Sequence, residues 1–315
     1  MMLSIMLWCG VFLISMIVMI KGADLFLISS EKIGRALGLS AFIIGAVIVG
    51  LGTSLPELAV AIFALAEGAE EVVISNAVGS NISNILLVVG ISTIVARHLT
   101  VSKNLIDIDL PMLVASTVIF LAVAWDGEVT SGEAIILLGT YVIYFLYTIF
   151  SKDESIDNVD KRKKSDKVSV KLIGMLFVSA AALIFGAKYL IESVVHIADL
   201  LSIKSALISI TAVAIGTSLP ELIVSVKAAL KGKSEIAIGN IFGSNSFNAL
   251  MVVGIPALFT DLKVDDITMT IGIPVMAAAT FLFLISGISR KIYLWEGAMF
   301  VMFYVFFIGK LFHLF

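Results

Sequence analysis

A heptapeptide, Gly52-Thr53-Ser54-Leu55-Pro56-Glu57-Leu58, recurs letter for letter as Gly216-Thr217-Ser218-Leu219-Pro220-Glu221-Leu222, and each copy lies inside a long apolar run. The offset of 164 residues (52 to 216) also superimposes Asn76–Asn84 on Asn240–Asn248 without a gap, so that Gly79, Ser80, Asn81 and Asn84 fall on Gly243, Ser244, Asn245 and Asn248. The same offset pairs Gly22-Ala23 with Gly186-Ala187 and Val88-Val89-Gly90-Ile91 with Val252-Val253-Gly254-Ile255. A chain that duplicates a carboxylate, a proline and small polar residues in hydrophobic surroundings builds one site from two halves.

Composition makes those surroundings a membrane. Apolar residues form 60% of the chain and charged residues 14%, with a mean hydropathy of +1.11. Runs of about 20 apolar residues, the length that crosses a hydrocarbon core, recur throughout. Hydropathy, broken at charged and Gly/Ser clusters, predicts an all-α membrane protein with ten transmembrane helices at roughly 3–35, 41–66, 72–96, 104–125, 131–150, 170–201, 205–230, 235–260, 266–287 and 292–313. The N-terminus has no basic region ahead of its apolar run, which continues to Gly22, so no cleavable signal is expected. The single cysteine, Cys9, leaves no internal disulfide and no Cys-rich metal site.

Alternate loops differ in sign. One set holds Lys32 and Arg35, Arg97 and Lys103, the Lys161–Lys164 cluster, Lys231 and Lys233, and Arg290 and Lys291. The other holds Glu67, Glu70, Glu71, Asp126, Glu128, Asp261, Asp265 and Asp266, with Lys204 and Lys263 as its internal basic residues. The positive-inside rule places the first set in the cytoplasm and both termini outside, giving a multi-pass protein of the cell membrane. The expected organisation is a first five-helix repeat at 1–150, a polar cytoplasmic linker at 151–169 and a second repeat at 170–315. Five helices is an odd number, so the second repeat is inverted relative to the first.

Glu57 and Glu221 dominate the chemistry. Each lies mid-helix, one residue after a proline, where an unpaired carboxylate is costly. An ion pair with Lys21 or Lys188 is the structural alternative; it leaves the duplicated neighbours unexplained. The stronger reading sets the two carboxylates face to face around a cation. Pro56 and Pro220 lack an N–H and free backbone oxygens one turn back, so that carbonyls around Gly50, Thr53, Ala214 and Thr217 can turn toward an ion. Ser80, Asn81 and Asn84, with Ser244, Asn245 and Asn248, fall near one helix face in each copy and supply neutral oxygens. Asn81 and Asn245 also suit hydrogen-bond glue between helices, and Gly79 and Gly243 suit close helix approach. Hard oxygens with two carboxylates fit Ca²⁺ and also serve Na⁺; no Cys or His lies in the motifs to bind a soft metal.

Gly-Thr-Ser-Leu-Pro-Glu in both halves, followed by Gly-Ser-Asn-x-x-Asn, resembles the paired α-repeats of prokaryotic-type sodium/calcium exchangers within the cation/calcium exchanger superfamily. The resemblance spans essentially the whole chain. It implies that Glu57 and Glu221 bind Ca²⁺ with the carbonyls of Thr53 and Thr217. It further implies flanking Na⁺ sites at Ser54, Ser80, Ser218, Ser244 and the carbonyls of Gly50 and Ala214, with Asn84 and Asn248 lining the centre. Some members, potassium-dependent ones and a well-known archaeal type among them, carry Asp where this chain has Asn248; Asn in both halves resembles the potassium-independent animal exchangers, so the resemblance implies K⁺-independent, electrogenic Na⁺/Ca²⁺ antiport. The proton-coupled branch has a Glu in the second motif that is absent here; H⁺/Ca²⁺ antiport is the alternative.

Other classes fit less well. No hydrolase signature of the Gly-x-Ser-Gly or His-Glu-x-x-His kind is present, and inverted repeats favour alternating access over a channel. The expectation is a transporter rather than an enzyme, with no cofactor beyond the transported ions, no nucleic acid and no obligatory protein partner. Lys21, Asp24 and Lys188, near Gly22 and Gly186, suggest a Lys–Asp pair or snorkelling to an interface. His98, His196 and His313 are scattered at loops and helix ends.

Overall fold

The protein is described by a computed structural model that covers residues 2–101, 109–150, 168–200 and 216–312. The expectations for Ala214, Lys204, the Lys161–Lys164 cluster, His313 and nearly all of the 151–169 linker lie outside those residues. Eight of the described helices are long and apolar enough to cross a bilayer. Two others are shorter, and one of these is also apolar. In chain order the helices are α1 (Met2–Ala36), α2 (Ala41–Ala66), α3 (Glu71–Ala96), α4 (Leu110–Val123), α5 (Ser131–Phe150), α6 (Val170–Leu200), α7 (Leu219–Leu230), α8 (Ser234–Ala257), α9 (Thr268–Ile288) and α10 (Leu294–Leu311). The short ones are α4 and α7. The segment expected at 104–125 is described as a helix only from Leu110, with Pro111 in its first turn, where a missing N–H costs nothing. At the start of α5, Thr130 and Glu133 cap each other reciprocally: Thr130 N donates to Glu133 Oε2 at 2.9 Å and Glu133 N to Thr130 Oγ1 at 3.4 Å.

Four short strands, not foreseen from hydropathy, tie the loops together: β1 (His98–Thr100), β2 (Glu128–Val129), β3 (Leu262–Lys263) and β4 (Lys291–Tyr293). They form two antiparallel ribbons, β1 with β4 and β2 with β3. Leu99 faces Ile292 and His98 faces Tyr293 in one; Lys263 faces Glu128 and Leu262 faces Val129 in the other. The 164-residue offset carries the first two pairs onto the second two. Two ribbons exchanged in this way are what a pseudo-twofold axis between the motif copies requires.

The pairing of α1 with α6 obeys the same exchange. A Cβ on Gly22 would stand 3.4 Å from Ser179 O, and one on Gly186 would stand 3.2 Å from Ser15 O. The two helices therefore meet through small residues, as membrane helices do when van der Waals packing drives association. Their outer faces carry large apolar side chains such as Phe177 and Phe185. At the other extreme, α8 is enclosed on nearly all sides. Its Gly243 has no room for a side chain, since a Cβ there would overlap the carbonyl of Ala46 on α2. Gly79, its counterpart, meets no described residue within 4 Å. A polar helix such as α8, with Asn240, Ser244, Asn245, Ser246 and Asn248, is enclosed because lipid offers those groups no hydrogen bonds.

Asp24 does form a Lys–Asp pair, with partners that the sequence did not single out: Lys227 at 2.6 Å and Lys231 at 2.8 Å, while Glu31 pairs with Lys233 and with Arg35. These contacts join α1 to α7 and to the turn before α8. Lys188 pairs with Glu192 at 3.8 Å, half-exposed on α6.

Candidate ion-binding site

Glu57 and Glu221 occupy matching places, each in the first turn of a helix that starts just after a serine. Before Glu57 the helix stops at Ser54 (φ −89°, ψ 4°) and restarts at Leu55. Before Glu221, Ser218 takes the same conformation (φ −85°, ψ 3°), and α7 begins at Leu219. Pro56 and Pro220 explain the two helix starts: without an N–H neither can close the hydrogen bond one turn back. Each carboxylate then sits in the first turn of a new helix, where unpaired N–H groups and the helix dipole favour negative charge.

Both side chains are fully buried. Among the described residues, both oxygens of Glu57 and Oε2 of Glu221 lack a hydrogen-bond partner, and neither carboxylate forms an ion pair. The ion pairs with Lys21 or Lys188 weighed from the sequence are absent. The remaining oxygen, Glu221 Oε1, accepts from Ser54 Oγ at 3.2 Å, a bond that spans the two copies. Two buried carboxylates with unused lone pairs make a strongly cation-attracting centre.

Neutral oxygens surround them. Thr53 Oγ1 lies 3.3 Å from Gly50 O and 3.4 Å from Ser244 Oγ, and Ser244 Oγ donates to the same carbonyl at 3.3 Å. The offset maps the Thr53–Ser244 contact onto one between Thr217 and Ser80, whose hydroxyls are also 3.4 Å apart. Ser218 Oγ is buried without a partner among the described residues. Asn84 and Asn248 are buried, and both polar atoms of each amide lack partners there. Each stands where its helix widens into a π turn, Ser83–Val89 in α3 and Asn248–Val252 in α8. Such turns are rare and concentrate at functional positions. Asn81 Nδ2 donates to Asn245 O at 3.1 Å, the interhelical glue foreseen for that pair.

Hydrogen-bonding distances thus link Ser54 to Glu221, Gly50 and Thr53 to Ser244, and Ser80 to Thr217. Glu57, Asn84, Asn248 and Ser218 are buried without a side-chain partner among the described residues, and Ala214 lies outside those residues. Among the described residues no cluster of three or more His, Cys, Asp or Glu is present, so the site is two carboxylates in a shell of neutral oxygens. Sequence reasoning missed three contributors. Asn76 donates to Glu57 O at 3.3 Å, Asn240 Oδ1 accepts from Thr53 Oγ1 at 3.0 Å, and Asn240 Nδ2 donates to Ser225 at 2.8 Å. Asn76 and Asn240 open the second duplicated motif, which was the available signal; Ser225 carried none.

The profile of the sodium/calcium exchanger protein family matches residues 7–150 and 171–312. Sodium/calcium exchanger MaX1 of Methanosarcina acetivorans is 34% identical, over 96% of this chain and 98% of that protein. Uncharacterized membrane protein MJ0091 of Methanocaldococcus jannaschii is 33% identical over 98% and 99%. A solved structure of the sodium-calcium exchanger NCX_Mj, soaked with zero Na⁺ and Ca²⁺, superimposes with a TM-score of 0.85 at 30% identity, covering 98% of this chain and 99% of that one.

Proposed function

The chain belongs to the sodium/calcium exchanger protein family, and from that premise we propose that it is a secondary antiporter moving Na⁺ inward and Ca²⁺ outward, independent of K⁺ and electrogenic. The family is one of exchangers, that is, of multi-pass membrane transporters rather than enzymes. The observation that carries the reading is the pair Glu57 and Glu221, buried from two copies of one motif with carboxylate oxygens left unpaired among the described residues.

In this reading the carboxylates and the carbonyls of Thr53 and Thr217 hold Ca²⁺, which takes six to eight oxygens in flexible geometry. Flanking Na⁺ ions draw on Gly50, Thr53, Ser54, Ser80, Thr217, Ser218 and Ser244 and, as the resemblance implies, on the carbonyl of Ala214, with Asn84 and Asn248 lining the centre. One site serves both ions, so they occupy it in turn. The fold is ten helices in two inverted five-helix halves, and the exchange of ribbon pairs and of the Gly22 and Gly186 contacts by one offset supports it. Loop charges orient it with both termini outside and the linker in the cytoplasm.

Neutral Asn84 and Asn248 leave no extra carboxylate to recruit K⁺. With three Na⁺ per Ca²⁺, a tenfold Na⁺ gradient gives ~1.4 kcal/mol per ion, and the surplus charge gives ~2.3 kcal/mol at 100 mV. The total, roughly 6.5 kcal/mol, sustains a Ca²⁺ gradient on the order of 10⁴ to 10⁵.

Radiolabelled Ca²⁺ uptake into proteoliposomes loaded with Na⁺, K⁺, Li⁺ or a proton gradient tests the reading. Uptake is expected with internal Na⁺ alone, unchanged by K⁺ at fixed voltage, and altered by an imposed membrane potential. Uptake that follows a proton gradient and ignores Na⁺ would instead assign the chain to H⁺/Ca²⁺ antiport.

A further inference from the structure

The two heptapeptides are identical, but the polar groups behind them differ. Thr53 Oγ1 is 3.0 Å from Asn240 Oδ1, and Asn240 Nδ2 donates to Ser225 Oγ at 2.8 Å. Thr53, Ser225, Asn240 and Ser244 are all buried. In the other copy, Asn76 turns its amide N–H to the backbone carbonyl of Glu57 at 3.3 Å, and the position equivalent to Ser225 holds Ala61. Among the described residues no amide reaches Thr217.

A threonine hydroxyl carries one hydrogen. For Thr53 to offer a lone pair to a cation lodged beside Gly50 O and Ser244 Oγ, that hydrogen must point away from the cation. The nearest acceptor is Asn240 Oδ1. This fixes the amide, with Oδ1 toward Thr53 and Nδ2 toward position 225. The reverse orientation would aim an N–H at Thr53 and turn its hydrogen onto the Gly50 carbonyl, where the cation belongs. When the cation is bound, Nδ2 therefore needs an acceptor at position 225, and a buried N–H left unpaired is costly.

We propose that Ser225 is a positioning residue: by accepting from Asn240 it holds Thr53 as a cation-facing oxygen, so the Gly50–Thr53–Ser244 subsite is preorganised by a relay that has no counterpart at the Ser80–Thr217 twin among the described residues. The proposal rests on the reading that these oxygens carry a transported cation. Ser225 touches no ion itself and acts through two side chains.

Ser225→Ala tests it by installing the residue that the twin position already has, in a helix interior where alanine is the best helix former. In Na⁺-driven Ca²⁺ exchange by proteoliposomes, the Na⁺ concentration for half-maximal rate is expected to rise about tenfold, the cost of one unpaired buried N–H. The maximal rate stays within about twofold, and Ser225→Thr, which keeps the oxygen, restores the half-maximal concentration to within about twofold of wild type. An unchanged half-maximal concentration in Ser225→Ala, a fall in maximal rate alone, or no rescue by threonine overturns the proposal. If Ser225→Ala fails to fold, Ser225→Cys carries the test: its weakly accepting sulfur should give a smaller rise, and a wild-type value overturns the proposal. Wild-type protein that ignores Na⁺ would count against the function proposed above, and the same shift is then read with the cation that does drive exchange.

Discussion

The helix α8 and the helix α6 solve opposite problems in one molecule. In α8, 94% of the membrane-spanning stretch is buried; in α6 the figure is 22%. Yet α8 is the less apolar of the two, because it carries the asparagines and serines of the site. Hydropathy alone would place the more polar helix toward water. In a bilayer the order inverts: a polar helix takes the centre, and the most apolar helices take the rim, where lipid replaces protein as solvent. At the rim, α6 needs a partner of matching shape rather than a hydrophobic core, and the glycines at positions 22 and 186 provide it.

The contrast is open to attack at several points. The largest effect is expected for Gly243→Val in the centre. Its Cβ meets the backbone carbonyl of Ala46, which cannot step aside, so a loss of about 3 kcal/mol or more is expected. Thermal unfolding of the purified protein in detergent should show it, whereas Gly174→Val on α6, where a Cβ meets nothing within 4 Å, should unfold within about 1 kcal/mol of wild type. Next comes the seam between rim helices. Gly186→Leu pushes a side chain onto Met19 and the Ser15 carbonyl, and a loss of roughly 1–3 kcal/mol is expected in the same assay. Equal tolerance at Gly186 and Gly174 would mean that α1 and α6 do not depend on this contact.

A smaller effect attends the ties between rim and centre. Asp24→Asn removes the charge that Lys227 and Lys231 share, at a place where all three side chains are partly exposed. About 1 kcal/mol is expected, shrinking as salt is raised. A loss that ignores salt would mark the contact as packing rather than charge. The smallest effect belongs to the lipid-facing surface, where Phe177→Leu should stay within about 0.5 kcal/mol.

The sequence disclosed these two regions unequally. The bounds of α2 and α5 follow from hydropathy, because a charged or glycine-rich stretch ends each apolar run. The candidate site was legible because duplication repeats every candidate ligand type at one offset, so that even a neutral serine stood out. What stayed hidden depends on geometry that residue types do not encode. The π turns at Asn84 and Asn248 differ from α-helix by one extra residue per turn, with no residue type required for it. The partners of Asp24 lie more than 200 residues away in the chain, whereas Lys21 stands three positions from it. Ser225 reads as one more small residue in an amphipathic helix until Asn240 is seen to donate to it.

The central claim is that Glu57 and Glu221 hold one Ca²⁺ between them. Calorimetric titration of Ca²⁺ into the purified wild type, Glu57→Gln, Glu221→Gln and the double variant tests it most directly, with folding checked by unfolding temperature. Each single variant should weaken binding by at least about a hundredfold, because a buried carboxylate facing a divalent ion is replaced by a neutral amide. The double variant should then lose far less than the sum of the two, since neither carboxylate holds the ion alone. Wild-type affinity in either single variant, or losses that simply add, would mean that the two copies do not share one ion.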